Sequence, residues 1–214
     1  IHDINSLRDA NNLSAESDAL KMFDCVITHN ASMTRAVREL GCEAPIIELG
    51  LFDYLTNNSS IESNREDRTV AFAGNFSKAA FVSDLGKVRG LTFNLYGVPD
   101  PEIGLDVDNV CYRGSYPSEE IASRISGKWG LVWDGNSLET CSGPLGEYLR
   151  FNCPHKASMY VVAGRPLIVW NESAIARIVE KEGIGIAVPS IYAAAEVVSS
   201  VSDEEYERMV ANVN

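Results

Sequence analysis

Five consecutive residues, Asn152-Cys153-Pro154-His155-Lys156, have the spacing of a helix start, and two of them are types that could hold a phosphate. Asn is a good N-cap, and Pro in the first turn removes no helical hydrogen bond. The apolar run from Ala157 to Ala163 carries the helix on, and Gly164 is placed to end it. Lys156 is the odd member. A helix N-terminus already carries partial positive charge, so a cation there gains nothing unless an anion lies between. A bound phosphate removes the conflict; a solvated first turn is the bland alternative. Position favours the phosphate: apolar strand candidates precede and follow the helix, which opens it at the carboxyl edge of a parallel sheet, where open α/β folds bind ligands.

A second phosphate-loop candidate is Gly74-Asn75-Phe76-Ser77-Lys78, which follows the strand candidate TVAFA and leads into a helix that Ser77 could cap. It matches neither GxGxxG nor GxxxxGK[ST], which counts against a dehydrogenase-type dinucleotide site and a P-loop kinase. An ordinary strand-to-helix turn is its other reading. Tyr112, at the end of NVCY and before Gly114, could stack on a base or pack on the domain. Asp134 ends LVWDG, where a carboxylate can accept bonds from sugar hydroxyls or cap the next loop. Glu147, just before the central helix, could hold a ribose or donor hydroxyls, or be a solvated acid. Three histidines give no Ser-His-acid set in this order. The catalytic residues are therefore unknown, with His2, Asp3 and His29 as weak candidates for orienting an acceptor.

The elements that must position these residues alternate. Residues 1–8 read as a strand end running into a loop. Ala15 to Phe23 has helical spacing, Asp24 to His29 is a short strand, Asn30 caps a helix over Met33 to Leu40 closed by Gly41, and Pro45 to Leu49 is a strand. This is a β-α-β unit or the remnant of a larger one. Asn57 to Arg68 is polar and charged, and reads as a linker. Strands then recur at Thr69–Ala73, Leu91–Tyr96, Asn109–Tyr112, LVWDG, PLIVW and Ile184–Val188, with helices between, a helix from Ile191 to Ser200 and a last one from Asp203. The expected organisation is residues 1–56 as the remnant of an N-terminal Rossmann-like domain, 57–68 as linker, 69–200 as a C-terminal Rossmann-like domain facing it across a cleft, and 201–214 as a terminal helix.

The 214 residues, 45% hydrophobic, suffice for one large or two small cores. The net charge of −12 argues against nucleic acid as the main partner but leaves room for an anionic small ligand at a local positive site. No apolar run approaches the roughly 20 residues of a membrane span, and no signal peptide is visible, so a soluble, cytoplasmic protein is expected. The five cysteines lack CxxC spacing and suit reduced thiols rather than zinc. The chain starts with Ile, and part of a longer protein is expected to precede it.

Taken together, HDINSLR (2–8), DCVITHNASM (24–33), FAGNFSKAAF (72–81), LYG (95–97), GLVWDG (130–135) and GEYLRFNCPHKASMYVVAGRPLIVW (146–170) resemble the bacterial beta-1,6-galactofuranosyltransferases and the related glucosyltransferase that extends O-linked GlcNAc on serine-rich-repeat adhesins. The resemblance spans almost the whole chain. It implies a GT-B-type α/β fold, two Rossmann-like domains facing across a cleft, with the donor held by the C-terminal one. It puts Gly74, Asn75, Ser77 and Lys78, with Asn152, His155 and Lys156, around the donor diphosphate, Tyr112 near the base, and Asp134 and Glu147 near ribose or sugar. The E-x7-E pattern of many retaining GT-B enzymes is absent downstream of Glu147.

The expected activity is transfer of a hexosyl unit from a UDP-sugar, of the UDP-glucose or UDP-galactofuranose class, to a glycan or glycoprotein acceptor. No cofactor and no metal are expected, because no carboxylate pair adjoins either phosphate-loop candidate and Lys⁺ with N–H donors can stabilise the leaving diphosphate. Neither nucleic acid nor a membrane span is expected among its partners, and a homo-oligomer is open. A nucleotide-sugar epimerase of the same fold, and a non-catalytic nucleotide-binding module, are the alternatives.

Overall fold

The computed structural model describes residues 3–8, 13–57, 67–101, 103–104 and 107–214. His2 and most of the expected linker, residues 58–66, lie outside the described residues.

The first unit is small. Strand β1 (Val26–Thr28) pairs in parallel with β2 (Ile46–Glu48), and between them runs helix α2 (Ala31–Glu39); α1 (Leu13–Leu20) precedes β1. Asn30 caps α2 as its residue type predicts, accepting from the amides of Ser32 and Met33. Met33 and Val37 fill the face of α2 turned to the strands. The opening residues differ from expectation: Asn5–Leu7 form a 3-10 turn rather than a strand end, because the Glu16 carboxylate accepts the Asn5 and Ser6 amides and bends the chain.

The second unit is a six-stranded, all-parallel sheet in the order β5-β4-β3-β6-β7-β8, made of β3 (Thr69–Ala73), β4 (Thr92–Tyr96), β5 (Val110–Gly114), β6 (Trp129–Val132), β7 (Leu167–Trp170) and β8 (Gly185–Val188). Every residue of β3, β6 and β7 is buried, as near-continuous apolar runs require when helices cover both faces. The chain builds outward from β3 to β5, then returns to lay β6 on the other side of β3, so the strand order reverses between β3 and β6. That reversal defines a crevice at the carboxyl ends of the two strands. One side of the sheet carries α7 (Ile191–Ser200) and α8 (Asp203–Val213); the other carries α3 (Ser118–Arg124), α5 (His155–Val162) and α6 (Ala176–Glu182).

Two local readings are corrected. Ser77 caps nothing: Asn75 accepts the Ser77 amide, and the segment forms 3-10 turns over Phe76–Lys78 and Ala80–Lys87 rather than an α-helix. The loop before α5 contains a short helix, α4 (Gly143–Glu147), so Glu147 ends a helix of its own.

Candidate functional site

Three glycines shape the strand ends beside the crevice. Gly74, Gly97 and Gly114 end β3, β4 and β5 or directly follow them, and their backbones are joined, Gly74 N–H to Tyr96 O and Gly97 N–H to Gly114 O. A Cβ on Gly97 would lie 1.9 Å from the Gly74 carbonyl oxygen, and its φ of +142 is one that side chains rarely adopt. Only glycine lets these strand ends come so close. Above them opens a cleft of about 610 Å³, lined among others by Gly74, Asn75, Tyr116, His155, Lys156 and Tyr54.

Lys156 reaches into the crevice from the first turn of α5. Its Nζ donates to Asp134 Oδ1 at 2.7 Å and to the Trp133 carbonyl at 3.1 Å, and lies 4.9 Å from the centre of the Phe72 ring. Trp133 and Asp134 follow β6 and Phe72 belongs to β3, so the ammonium sits between the two strands where the order reverses. The anion that the sequence demands at this helix start is, in this structure, the Asp134 carboxylate. The alternative of a solvated lysine does not hold: removing the side chain would leave Asp134, itself only one-quarter exposed, without its ion-pair partner.

Asn152 does not cap α5. Pro154 occupies the N-cap position with no side-chain hydrogen bond, and the Asn152 Oδ1 is buried without a hydrogen-bond partner. What holds this helix start comes from the first unit. The Cys153 amide donates to His29 Nδ1 at 3.0 Å, the Asn30 side chain donates to the Phe151 carbonyl at 2.8 Å, and the Phe52 ring stacks on His155 at 4.4 Å while meeting His29 edge-on at 4.8 Å. Burial pushes the Cys153 thiol up to about 12, only partly offset by a backbone hydrogen bond from Phe52. It is a filler and not a nucleophile.

Other sequence candidates fall elsewhere. Gly74, Asn75, His155 and Lys156 are gathered at the cleft; Ser77 and Lys78 are exposed outside its lining, with the Ser77 hydroxyl bonded to Asn75. The Tyr112 hydroxyl donates to the Gly97 carbonyl, bracing the strand ends from outside the lining. The aromatic ring offered to the cleft on this side is Tyr116, four residues on, which the spacing did not single out. Glu147 is bound to Arg150, whose guanidinium also meets Glu172 and lies over the Trp170 ring. Asp3 pairs with Arg8, away from the cleft. His29 is 3% exposed, and its Nδ1 accepts from the Cys153 amide. The sequence does spell one D-x-D, Asp106-Val107-Asp108; Asp108 lies just before β5, at the opposite end of the sheet, and Asp106 is outside the described residues. Among the described residues no group of three or more His, Cys, Asp or Glu gathers to hold a metal ion.

An open parallel sheet whose strand order reverses between β3 and β6, with a lysine at that switch crevice, glycines at the strand ends and a smaller α/β unit ahead of it, defines a class: a doubly wound α/β protein of the two-unit kind. The chain belongs to the glucosyltransferase 3-like family. Residues 1–51 match the N-terminal domain of that family and 70–214 its C-terminal domain. It is 35% identical to the beta-1,6-galactofuranosyltransferase WbbI of Escherichia coli K12 over 99% of this chain and 63% of the relative, and 25% identical to glucosyltransferase 3 of Streptococcus parasanguinis over 100% of this chain and 62% of the relative. The chain thus spans somewhat less than two-thirds of these relatives' length. Among solved structures it resembles Anabaena HepE in complex with UDP-glucose (TM-score 0.64, 16% identity, 100% of this chain and 65% of that one) and sucrose-phosphate synthase of Thermosynechococcus elongatus (TM-score 0.65, 16% identity, 100% and 58%). This likeness shows the fold, the GT-B type of the glycosyltransferases.

Proposed function

We propose that the chain is the donor-binding part of a UDP-sugar-dependent glycosyltransferase, moving a hexosyl unit to a glycan or glycoprotein acceptor. The observation that carries the reading is the Lys156 ammonium held in the switch crevice at the start of α5. A diphosphate entering there takes the place of Asp134 as the lysine's counter-ion. As the bond from the sugar to phosphate breaks, charge grows on the diphosphate, and Lys156 with the nearby N–H groups stabilises it without a metal. Gly74 and Asn75 border the same space. Tyr116, rather than Tyr112, supplies the ring on which the base stacks, and Asp134, once released, is free to accept a ribose or sugar hydroxyl. The relatives' names support the reaction class. The division into an acceptor-side unit over 1–56, a linker over 57–68, a donor unit over 69–200 and a closing helix over 201–214 belongs to this proposal. So does a cytoplasmic setting, with which five free thiols accord.

Titration calorimetry with UDP and uridine tests it. Lys156→Ala should weaken UDP roughly ten- to a hundredfold, the equivalent of one charge-assisted hydrogen bond of about 1.5–3 kcal/mol, and leave uridine alone. Asp134→Asn should leave UDP as tight or tighter if Asp134 only holds the lysine, and weaken UDP and uridine alike if it takes a ribose hydroxyl. Equal weakening of both ligands by Lys156→Ala would overturn the phosphate assignment.

A further inference from the structure

We propose that His29, in the N-terminal unit, is a positioning residue of the donor site: its Nδ1 holds the start of α5 so that Lys156 points into the crevice. The inference rests on the reading of Lys156 as a phosphate contact and adds to it the device that aims the lysine.

Helix α5 has an unusual beginning. Its N-cap is Pro154, which has no side-chain oxygen to accept a helical amide and no N–H of its own. The cap that the sequence offers, Asn152, is not used. The last amide before the helix is that of Cys153, and it crosses to the other unit, donating to His29 Nδ1 at 3.0 Å over a sequence separation of 124 residues. A backbone N–H can only donate, so the Nδ1 must offer a lone pair and the neutral ring carries its proton on Nε2. His29 is 3% exposed and therefore fixed in its rotamer by packing. Its neighbour Asn30, committed to capping α2 with its Oδ1, uses its Nδ2 for the Phe151 carbonyl at 2.8 Å. Phe52 completes the seat by stacking on His155. The turn from β1 into α2, together with Phe52 beyond β2, therefore grips residues 151–155 from three directions, and Lys156 is the next residue. A shift of the helix start by about 1 Å is enough to spoil a contact of this kind.

Three variants, His29→Ala, His29→Asn and His29→Gln, separate positioning from packing. The Asn amide oxygen can reach the place of Nδ1, whereas that of Gln matches Nε2. Amide hydrogen exchange over residues 153–157, read without nucleotide, should accelerate in His29→Ala and His29→Gln and return towards the parent in His29→Asn. UDP should weaken roughly tenfold in the first two and within about threefold in the third, with uridine unchanged in all. If His29→Ala does not fold, the Asn and Gln variants decide alone. Unchanged exchange, or rescue by Gln as good as by Asn, overturns the hydrogen-bond role. Accelerated exchange with UDP affinity intact, in a parent that prefers UDP to uridine, overturns the aiming of Lys156. A parent that binds uridine as well as UDP refutes the phosphate reading itself, and the positioning role with it.

Discussion

The two parallel sheets treat the same kind of residue in opposite ways. In the large sheet, Val70 and Phe72 of β3 are fully buried, as are Leu131 and Val132 of β6 and Ile168 and Val169 of β7. In the small one, Ile27 and Ile47, directly paired across β1 and β2, are 48% and 57% exposed. Parallel strands draw their stability from two covered faces. The large sheet has both, while among the described residues the small one is covered on one face, by α2 together with Leu20 of α1, Ile4 and Tyr148. Its place in the molecule is set by what it touches in the other unit: Ile4 N–H on the Tyr148 hydroxyl, Asn30 on Phe151, His29 on Cys153. One sheet makes the site, and the other is seated against the segment that carries its lysine.

The widest separation expected between the regions is in a matched pair of substitutions. Val70→Asp buries an unpaired carboxylate and should cost more than about 4 kcal/mol, enough to prevent folding, whereas Ile27→Asp should cost less than about 1 kcal/mol. Urea unfolding of both variants checks this. Equal losses would show that the outer face of β1 and β2 is covered after all and would end the contrast.

A pair of glycines sharpens it. Gly97→Ala drives a Cβ onto the Gly74 carbonyl in a backbone conformation hostile to side chains, so about 2–4 kcal/mol should be lost, along with UDP binding at the cleft. Gly50, in the small unit, has a φ of +81 but nothing within 4 Å of an added Cβ. Gly50→Ala therefore carries only the conformational cost, about 1–2 kcal/mol. A Gly50 loss as large as that at Gly97 would mean that backbone strain, not close approach, decides both.

The same contrast explains what could be read from the sequence. The strands of the large sheet announce themselves as unbroken apolar runs, and their alternation with helices fixes a parallel α/β sheet before any coordinates. The Asn30 cap is local, three residues wide, and was legible for that reason. What escaped were partners far apart in sequence. Asp134 and Lys156 are both singled out by residue type, yet nothing in spacing says that a residue after β6 meets one in α5. Asn152 looked like a cap and is displaced by a grip from His29, more than 120 residues away. Tyr112 and Tyr116 are equivalent as residue types; which one faces the cleft depends on how the chain turns after Gly114. The 3-10 turns of Ala80–Lys87 were missed because their apolar positions suit either helix type.

A smaller effect is expected at the end of the large unit. Ser202 accepts the Glu205 amide while the Glu205 carboxylate accepts the Ser202 amide, a complete capping box at the start of α8. That helix sets Tyr206 edge-on against Trp129 and its hydroxyl on the Lys128 carbonyl at 2.7 Å, so it belongs to the main core. Ser202→Ala should cost about 1 kcal/mol and lower the melting temperature by about 2–4 °C in the main transition. A melt unchanged in that variant would mean that α8 is docked by Tyr206 alone.

The smallest effect lies in the small unit and depends on pH. Burial tends to raise the Glu16 carboxyl, but the hydrogen bonds from Ser6 and Asn5, the amides at 2.8 and 2.7 Å, outweigh it and hold the group below its ordinary 4.5. A carboxylate whose folded value is depressed stabilises fully above its unfolded value, and that contribution is lost as pH falls through the folded one. The turn over residues 3–8 should therefore loosen below about pH 4.5, by about 0.5 kcal/mol once screening of this largely solvated group is allowed for. Glu16→Gln should loosen the turn already at neutral pH and remove the acid step, since an amide does not titrate in this range. Amide exchange at Asn5 and Ser6, compared between parent and variant at each pH, reads the difference directly. The large sheet should show none of it, because the amides that Glu16 accepts from lie in the turn that leads into the small unit. An acid step of the same size in the amides of β3 would mean that the two units unfold as one, and that the contacts of His29 and Asn30 with residues 151–153 transmit stability as well as position.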